Sequence, residues 1–191
     1  MADAADDLDL IRQHVAALCA GYGDEYWSTC DREHTFPWDF YSAMAAAGWV
    51  GIAIPAEYGG GGRGILEAAV VLQTVAASGA AMNGASALHL SIFGMQPVVR
   101  HADQSLKARF LPAVAEGSLH VAFGVTEPDA GTDTSRITTR AVRNGDHYVV
   151  NGRKVWTTKA LEADRILLLT RTTPLAECRK PTDGKIGRAH V

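Results

Sequence analysis

Residues 125–133, VTEPDAGTD, crowd three carboxylates around a proline and a glycine at the end of an apolar run. Such a loop can hold a cation, perform acid/base chemistry, or bind a ligand with its backbone N–H groups. A calcium loop needs further oxygen ligands and a glutamate at its twelfth position, which are missing here, so we predict no metal site. Acid/base chemistry stays open on spacing alone, although nothing nearby offers a nucleophile with an orienting partner. The simplest interpretation is that Glu127 and Asp133 cap turns through their side-chain oxygens.

A second candidate is the glycine-rich stretch at residues 59–64, GGGGRG, which satisfies the G-x-G-x-x-G spacing of dinucleotide-binding loops. In that motif the first glycine directly follows a parallel strand, and an acidic residue follows about 20 residues later. Here residues 55–58 intervene after the apolar run, and no second strand with an acidic end follows. We interpret the stretch as a flexible loop between helices.

The pattern of apolar residues differs between the two halves of the chain. Up to about residue 116 the apolar residues recur at helical spacing, which predicts helices around residues 8–18, 40–47, 66–75, 83–101 and 103–115. Pro37 suits a first helical turn, Gly48 a helix end, Pro97 a kink and Asp103 an N-cap. The first half of the chain is therefore predicted to be mostly helical.

After residue 117 the pattern changes to short runs rich in β-branched and aromatic residues. These runs predict strands around residues 121–126, 137–142, 147–150, 154–158 and 165–171. The Asn-Gly pairs at 144–145 and 151–152 accept the positive φ angles of tight hairpin turns. The sequence thus predicts an α+β fold, in which an N-terminal all-helical domain, residues 1–118, is followed by a truncated antiparallel β-domain, residues 119–184.

The last residues, 185–191, read KIGRAHV, which is what a DNA stretch containing a sequencing-adapter sequence encodes. We predict that they are a non-native tail and that the coding sequence was cut there, in the middle of a sheet.

The composition is that of an ordinary globular protein, with 47% hydrophobic and 20% charged residues over 191 positions. A net charge of -3 with scattered Lys and Arg argues against nucleic-acid binding, and no stretch has the length of a membrane span. Three cysteines in no metal or disulfide spacing, behind an acidic N-terminus unlike a targeting peptide, predict a cytoplasmic protein.

Two stretches, FGVTEPDAGTD and the later YVVNGRKVWTT, together resemble the flavin-binding signature of acyl-CoA dehydrogenases. The resemblance covers nearly the whole chain, because FPWDFYSAMAAAGWVGIAIPAEYGGGG is similar to that family's first helices and connecting loop. It implies FAD as cofactor, an acyl-CoA substrate and an electron-transfer flavoprotein as partner. For the full-length protein it implies a homo-oligomer, either a tetramer or a dimer.

The resemblance also assigns site residues. The cofactor contacts are Phe123, Val125, Thr126, Gly131, Thr132, Trp156, Thr157 and Thr158. Trp156 would pack on the flavin ring, and Thr126 and Thr158 would bond near its reactive edge. Thr132 would also touch the thioester substrate, and Ser86 and His89 would border the acyl pocket by helical position. A core position is the simpler interpretation for His89, and for Trp156 taken alone; the two following threonines and VTEP favour the functional interpretation of Trp156.

The chain departs from the family pattern at two positions, since Asp129 stands where glycine is common and Thr132 where serine is common. The family's catalytic base is a glutamate of the C-terminal helical domain or a neighbouring helix, so we assign no catalytic residue here and predict that the chain is inactive alone. The alternatives are an acyl-CoA oxidase or flavin monooxygenase of the same fold, and a non-catalytic module that binds a partner through an open sheet edge.

Overall fold

The computed structural model describes residues 2–178 and 186–190, and the side chains of residues 2–5, 175 and 186–190 lie outside the description. The chain divides into two compact units between His120 and Val121. The first unit is helical and the second carries a small sheet, so the predicted α+β class is confirmed.

The described part of the first unit contains seven α-helices: α1 (Ala2–Cys19), α2 (Asp24–Glu33), α3 (Trp38–Ala46), α4 (Ile65–Ala77), α5 (Ala81–Ile92), α6 (Gln96–His101) and α7 (Gln104–Ala115). The N-cap prediction for Asp103 is confirmed, because its carboxylate accepts a hydrogen bond from Leu106 N at 2.9 Å. The single helix predicted over residues 83–101 is wrong. Pro97 lies in the first turn of α6, where its missing N–H is tolerated, and so it starts a new helix.

The core of the first unit is built mainly from α1, α3, α4 and α5, with contributions from α2 and from residues 50–53. Phe40 and Met44 of α3 are fully buried, and the Phe40 ring meets Trp27 edge-on with centroids 5.0 Å apart. Trp27 lies on α2, the one helix of this unit between residues 2 and 115 that the periodicity missed entirely. Its polar sequence, DEYWSTCDRE, buries only Trp27 and Cys30, so no apolar stripe marks it.

The glycine-rich stretch lies between the short 3-10 helix Ala56–Tyr58 and α4. Four of its backbone N–H groups, those of residues 60–63, donate to carbonyls of residues 51–55. Gly60 lies so close to Ile54 that a Cβ would collide with its carbonyl. These bonds fix the stretch to the preceding turn, so it is not the flexible loop we expected, and the N–H groups of residues 60–63 are not available to a phosphate.

The second unit contains β1 (Val121–Gly124), β2 (Arg140–Asn144), β3 (His147–Asn151), β4 (Arg165–Arg171) and β5 (Ile186–His190). The strand order is β1-β4-β2-β3, and β5 pairs with β4. The β2–β3 pair is the expected hairpin, with Val142 opposite Val149. Residues 186–190 of the predicted tail form β5, whereas residues 185 and 191 lie outside the described residues.

The sheet is mixed, so the predicted antiparallel domain is wrong in this detail. β1 runs parallel to β4 with Val121 opposite Arg165, and β2 meets the end of β4 in parallel register. The predicted hairpin at residues 151–152 does not form, and residues 154–158 are irregular in place of a strand. Their β-branched composition favours a strand, but Trp156 and Lys159 have left-handed φ angles of 57° and 64°, which end any ladder.

Within the described residues, no helix combines the length and the apolar character that crossing a membrane requires.

Candidate functional site

The loop that follows β1 is closed by a small backbone ring. Glu127 N donates to Ala130 O at 2.9 Å, and Ala130 N donates back to Glu127 O at 3.2 Å, which leaves Pro128 and Asp129 exposed at the tip. Further on, the Asp133 carboxylate accepts a hydrogen bond from Ser135 N at 3.1 Å and caps the 3-10 helix Thr134–Arg136. The turn-cap interpretation of Asp133 is therefore confirmed. Hydrogen bonding from Ser135 lowers the pKa of this carboxyl.

Glu127 does more than cap a turn, so that interpretation was incomplete. Its buried carboxylate accepts hydrogen bonds from Thr138 N at 2.7 Å, Thr138 Oγ1 at 2.8 Å and Thr139 N at 2.9 Å. A fourth bond comes from Lys154 Nζ at 2.9 Å. Burial alone would raise the pKa of Glu127, but hydrogen bonds from Thr139, Lys154 and Thr138 outweigh it and lower the pKa to about 2. Glu127 is therefore a permanent anion, unsuited to act as a base at neutral pH.

The irregular segment 153–158 lies directly beside this loop. Lys154 Nζ donates to Val125 O at 2.8 Å as well as to Glu127, and Val155 N donates to Thr126 O at 2.9 Å. The two stretches that carry most of the expected cofactor contacts, 123–126 and 156–158, are thereby brought together.

Trp156 is the most unusual residue of this segment. Its side chain is 89% exposed, and its backbone is left-handed, which costs a non-glycine residue about 1–2 kcal/mol. An exposed indole on a strained backbone contributes little to the stability of the fold. Strained residues of this kind cluster at ligand-binding sites, so the outlier supports a functional interpretation of Trp156 and argues against a core position.

The threonine hydroxyls among the expected contact residues are free to bind a ligand. Within residues 2–178 we find no hydrogen bond from the hydroxyls of Thr126, Thr132, Thr157 or Thr158. Gly131 and Thr132 are exposed, and a Cβ at Gly131 would meet nothing within 4 Å. Phe123 and Val125 are half-buried at the end of β1 and just after it.

The expected substrate residues divide between the two units. Ser86 and His89 are both half-buried on α5, and their spacing of three residues places them on one face of that helix. Thr132 belongs to the second unit. The expectations that Ser86 and His89 border the acyl pocket and that Thr132 touches the thioester stay predictions.

Lys159 is a charged group near the site that sequence reasoning missed. It is 7% exposed and directly follows Thr158. Burial lowers its pKa from 10.5 to about 8, although the carboxylates of Glu162 and Asp164 act in the opposite direction. The only sequence signal for Lys159 is that it directly follows the WTT motif, residues 156–158.

Comparison with known sequences identifies the family of the chain. Two family sequence models match the chain: acyl-CoA dehydrogenase, N-terminal domain, over residues 5–118, and acyl-CoA dehydrogenase, middle domain, over residues 122–185. The chain belongs to the acyl-CoA dehydrogenase family. Acyl-CoA dehydrogenase FadE12 of Mycobacterium tuberculosis is 33% identical over 171 residues, which cover 88% of this chain and 43% of that protein. The chain thus spans about two fifths of the length of such curated relatives.

Solved structures of similar fold include the ChsE4-ChsE5 complex from Mycobacterium tuberculosis, with a TM-score of 0.80 and 30% identity over 97% of this chain and 47% of that chain. The prolyl acyl carrier protein oxidase AnaB has a TM-score of 0.79 and 27% identity, over 96% of this chain and 47% of that one.

The residues present fit the flavin that this family implies. A flavin needs a flat apolar surface against its ring and fixed donors toward its polar edge. The exposed indole of Trp156 is such a surface, and the unpaired hydroxyls of Thr126 and Thr158 lie on the two adjoining segments. Because the ammonium group of Lys154 is already paired with Glu127, it is not available to the cofactor.

Proposed function

We propose that this chain is the flavin-binding part of an FAD-dependent acyl-CoA dehydrogenase, which removes hydrogen from the α and β carbons of an acyl-CoA thioester. The observation that carries the proposal is Trp156: an exposed ring on a strained backbone, attached through Val155 to Thr126. Family membership supplies the class of reaction.

When bound, FAD supplies a two-electron acceptor for the hydride from the β carbon. The chain's own contribution is binding and orientation. The indole of Trp156 would cover one face of the ring, and the hydroxyls of Thr126 and Thr158 would donate to its polar edge. The backbone N–H groups of Gly131 and Thr132 would donate to the cofactor's polar part or to the thioester.

The remaining parts of the reaction belong to the whole protein. In this proposal the base that removes the α-proton would be a glutamate of a C-terminal helical domain or of a neighbouring helix. The electron acceptor would be an electron-transfer flavoprotein, and the assembly would be a homo-oligomer, either a tetramer or a dimer. A cytoplasmic location is supported by Cys19, Cys30 and Cys178, all of which are free thiols. We expect no reduction of an acceptor dye by this chain with acyl-CoA.

Titration of the chain with FAD tests the proposal, with flavin fluorescence as the readout. Wild type should bind FAD, and Trp156→Ala should weaken binding at least tenfold because the surface against the ring is lost. Leu161→Ala is the matched control, since Leu161 is 97% exposed in the same unit and should bind FAD as wild type does. A wild-type chain that binds no FAD contradicts the proposal.

A second candidate is an oxidase of the same fold, which returns the electrons to oxygen. The likeness to the oxidase AnaB favours it. Oxygen consumption by the full-length protein, measured beside dye reduction, separates the two: a dehydrogenase reduces the dye and consumes little oxygen.

A further inference from the structure

The buried ion pair Glu127–Lys154 joins the two stretches that form the candidate site. Lys154 Nζ lies 2.9 Å from Glu127 Oε1 and 2.8 Å from Val125 O, so one ammonium group bonds both ends of the segment 125–127. The bond from Val155 N to Thr126 O lies between them. Three consecutive residues of the loop are thus bonded to two consecutive residues of the segment that leads into Trp156.

The carboxylate end of the pair is itself anchored to the sheet. Glu127 accepts from Thr138 and Thr139, and Thr139 O accepts from Arg171 N of β4 at 2.8 Å. The buried guanidinium of Arg171 also donates to Ile137 O at 2.6 Å and to Ser135 O. A continuous set of hydrogen bonds therefore runs from β4 through segment 135–139 and Glu127 to Lys154.

Within residues 153–158 we find hydrogen bonds to other parts of the described chain only from Lys154 and Val155. The side chain of Trp156 is almost fully exposed, so packing does not hold its left-handed backbone. The bonds made by Lys154 and Val155 are the nearest constraints along the chain before it. Because Lys154 and Glu127 are both buried and already paired with each other, neither is available to contact a cofactor.

We propose that Glu127 and Lys154 form a positioning pair, which holds Trp156 and Thr158 in register with Thr126 without touching the ligand. This inference rests on the proposed function, since the ligand so positioned is the flavin. A pair that only stabilised the fold would leave cofactor geometry unchanged in a variant that stays folded.

The test compares Lys154→Met, Glu127→Gln, the double variant and the conservative Lys154→Arg. Arg63→Met is the control, because it removes a half-exposed ion pair with Asp7 at 3.1 Å in the first unit. FAD affinity is measured by fluorescence titration, and the visible circular dichroism of the flavin is recorded at saturating FAD, where it reports ring orientation independently of affinity. Both are recorded at a temperature at which far-ultraviolet circular dichroism shows each variant to be folded.

We expect Lys154→Met and Glu127→Gln each to weaken FAD binding about tenfold and to reduce the flavin signal. The fold-loss of FAD affinity in the double variant should not exceed the product of the two single fold-losses. Lys154→Arg should recover most of the wild-type flavin signal because it keeps the charge. Variants with a lower melting temperature but the FAD affinity and flavin circular dichroism of wild type would overturn the proposal.

Hydrogen–deuterium exchange of the FAD-free chain gives a readout that does not need the flavin. Lys154→Met should speed exchange at residues 125–127 and 154–158 and leave the helices of the first unit unchanged. If wild type binds no FAD, the proposed function fails, and faster exchange at these two segments still supports the coupling. Unchanged exchange there refutes it.

Discussion

Replacing Lys159 by methionine should stabilise the protein at neutral pH. Lys159 is buried, and its pKa falls from 10.5 to about 8 in the folded chain. Because 1.36 kcal/mol corresponds to one pKa unit, the folded state loses about 3 kcal/mol by keeping this ammonium group buried below pH 8. Methionine is of similar length and carries no charge. The left-handed backbone strain at this position is the same for both side chains, so it cancels in the comparison.

The sign of the pH dependence follows from the two pKa values. Below pH 8 both states carry the charge, and the folded state bears the full cost of burying it. Between pH 8 and 10.5 the unfolded chain still binds the proton that the folded chain has released, so wild-type stability rises with pH relative to the variant. Above pH 10.5 both states are neutral, and the advantage of Lys159→Met should vanish.

Urea unfolding, followed by far-ultraviolet circular dichroism at pH values on both sides of this window, measures the difference. Arg153→Met is the matched control: it removes an exposed cation a few residues away and should shift stability by no more than about 0.5 kcal/mol at any pH. A stability difference between Lys159→Met and wild type that does not change with pH would refute the reasoning. So would a variant less stable than wild type below pH 8, since the interactions of the ammonium would then outweigh its burial.

Three further substitutions test other features. Trp156→Gly should raise the free energy of unfolding by about 1 kcal/mol in urea, because glycine relaxes the left-handed backbone, while FAD titration shows weaker binding. Gly152→Ala should lower it by about 1–3 kcal/mol, because the added Cβ collides with Thr139. Phe40→Ala should cost about 3–5 kcal/mol of unfolding free energy, since Phe40 is fully buried in the helical core. A destabilised Trp156→Gly, a neutral Gly152→Ala or a neutral Phe40→Ala would each contradict its argument.

Local signals predicted the parts of the fold that local physics determines. Asp103 was identified as an N-cap because its carboxylate serves the helix that follows at once, and the β2–β3 hairpin follows from alternation around a turn with Gly145 at a φ of 65°. The β-branched residues of segment 154–158 predict a strand. There the tertiary bonds of Lys154 and Val155 override propensity.

The candidate site divides in the same way. The resemblance named Thr126 and Trp156, and the structure brings their segments together through one backbone bond. The sequence does not predict the Glu127–Lys154 pair, because its members are 27 residues apart. No periodicity links a glutamate in a turn to so distant a lysine. Nor does the sequence predict the parallel pairing of β1 with β4, since which distant strands pair depends on the path of the chain between them.

That parallel pairing bears on how the second unit assembles. All the proposed flavin contacts that follow Gly124 lie on the stretch of chain that joins β1 to β4. The two strands can pair only after this long stretch has lost much of its conformational freedom, which is a slow, non-local step in folding. A ligand that binds only the folded loop would stabilise the folded state by mass action. FAD present during refolding should therefore act as a template that increases the yield of native sheet.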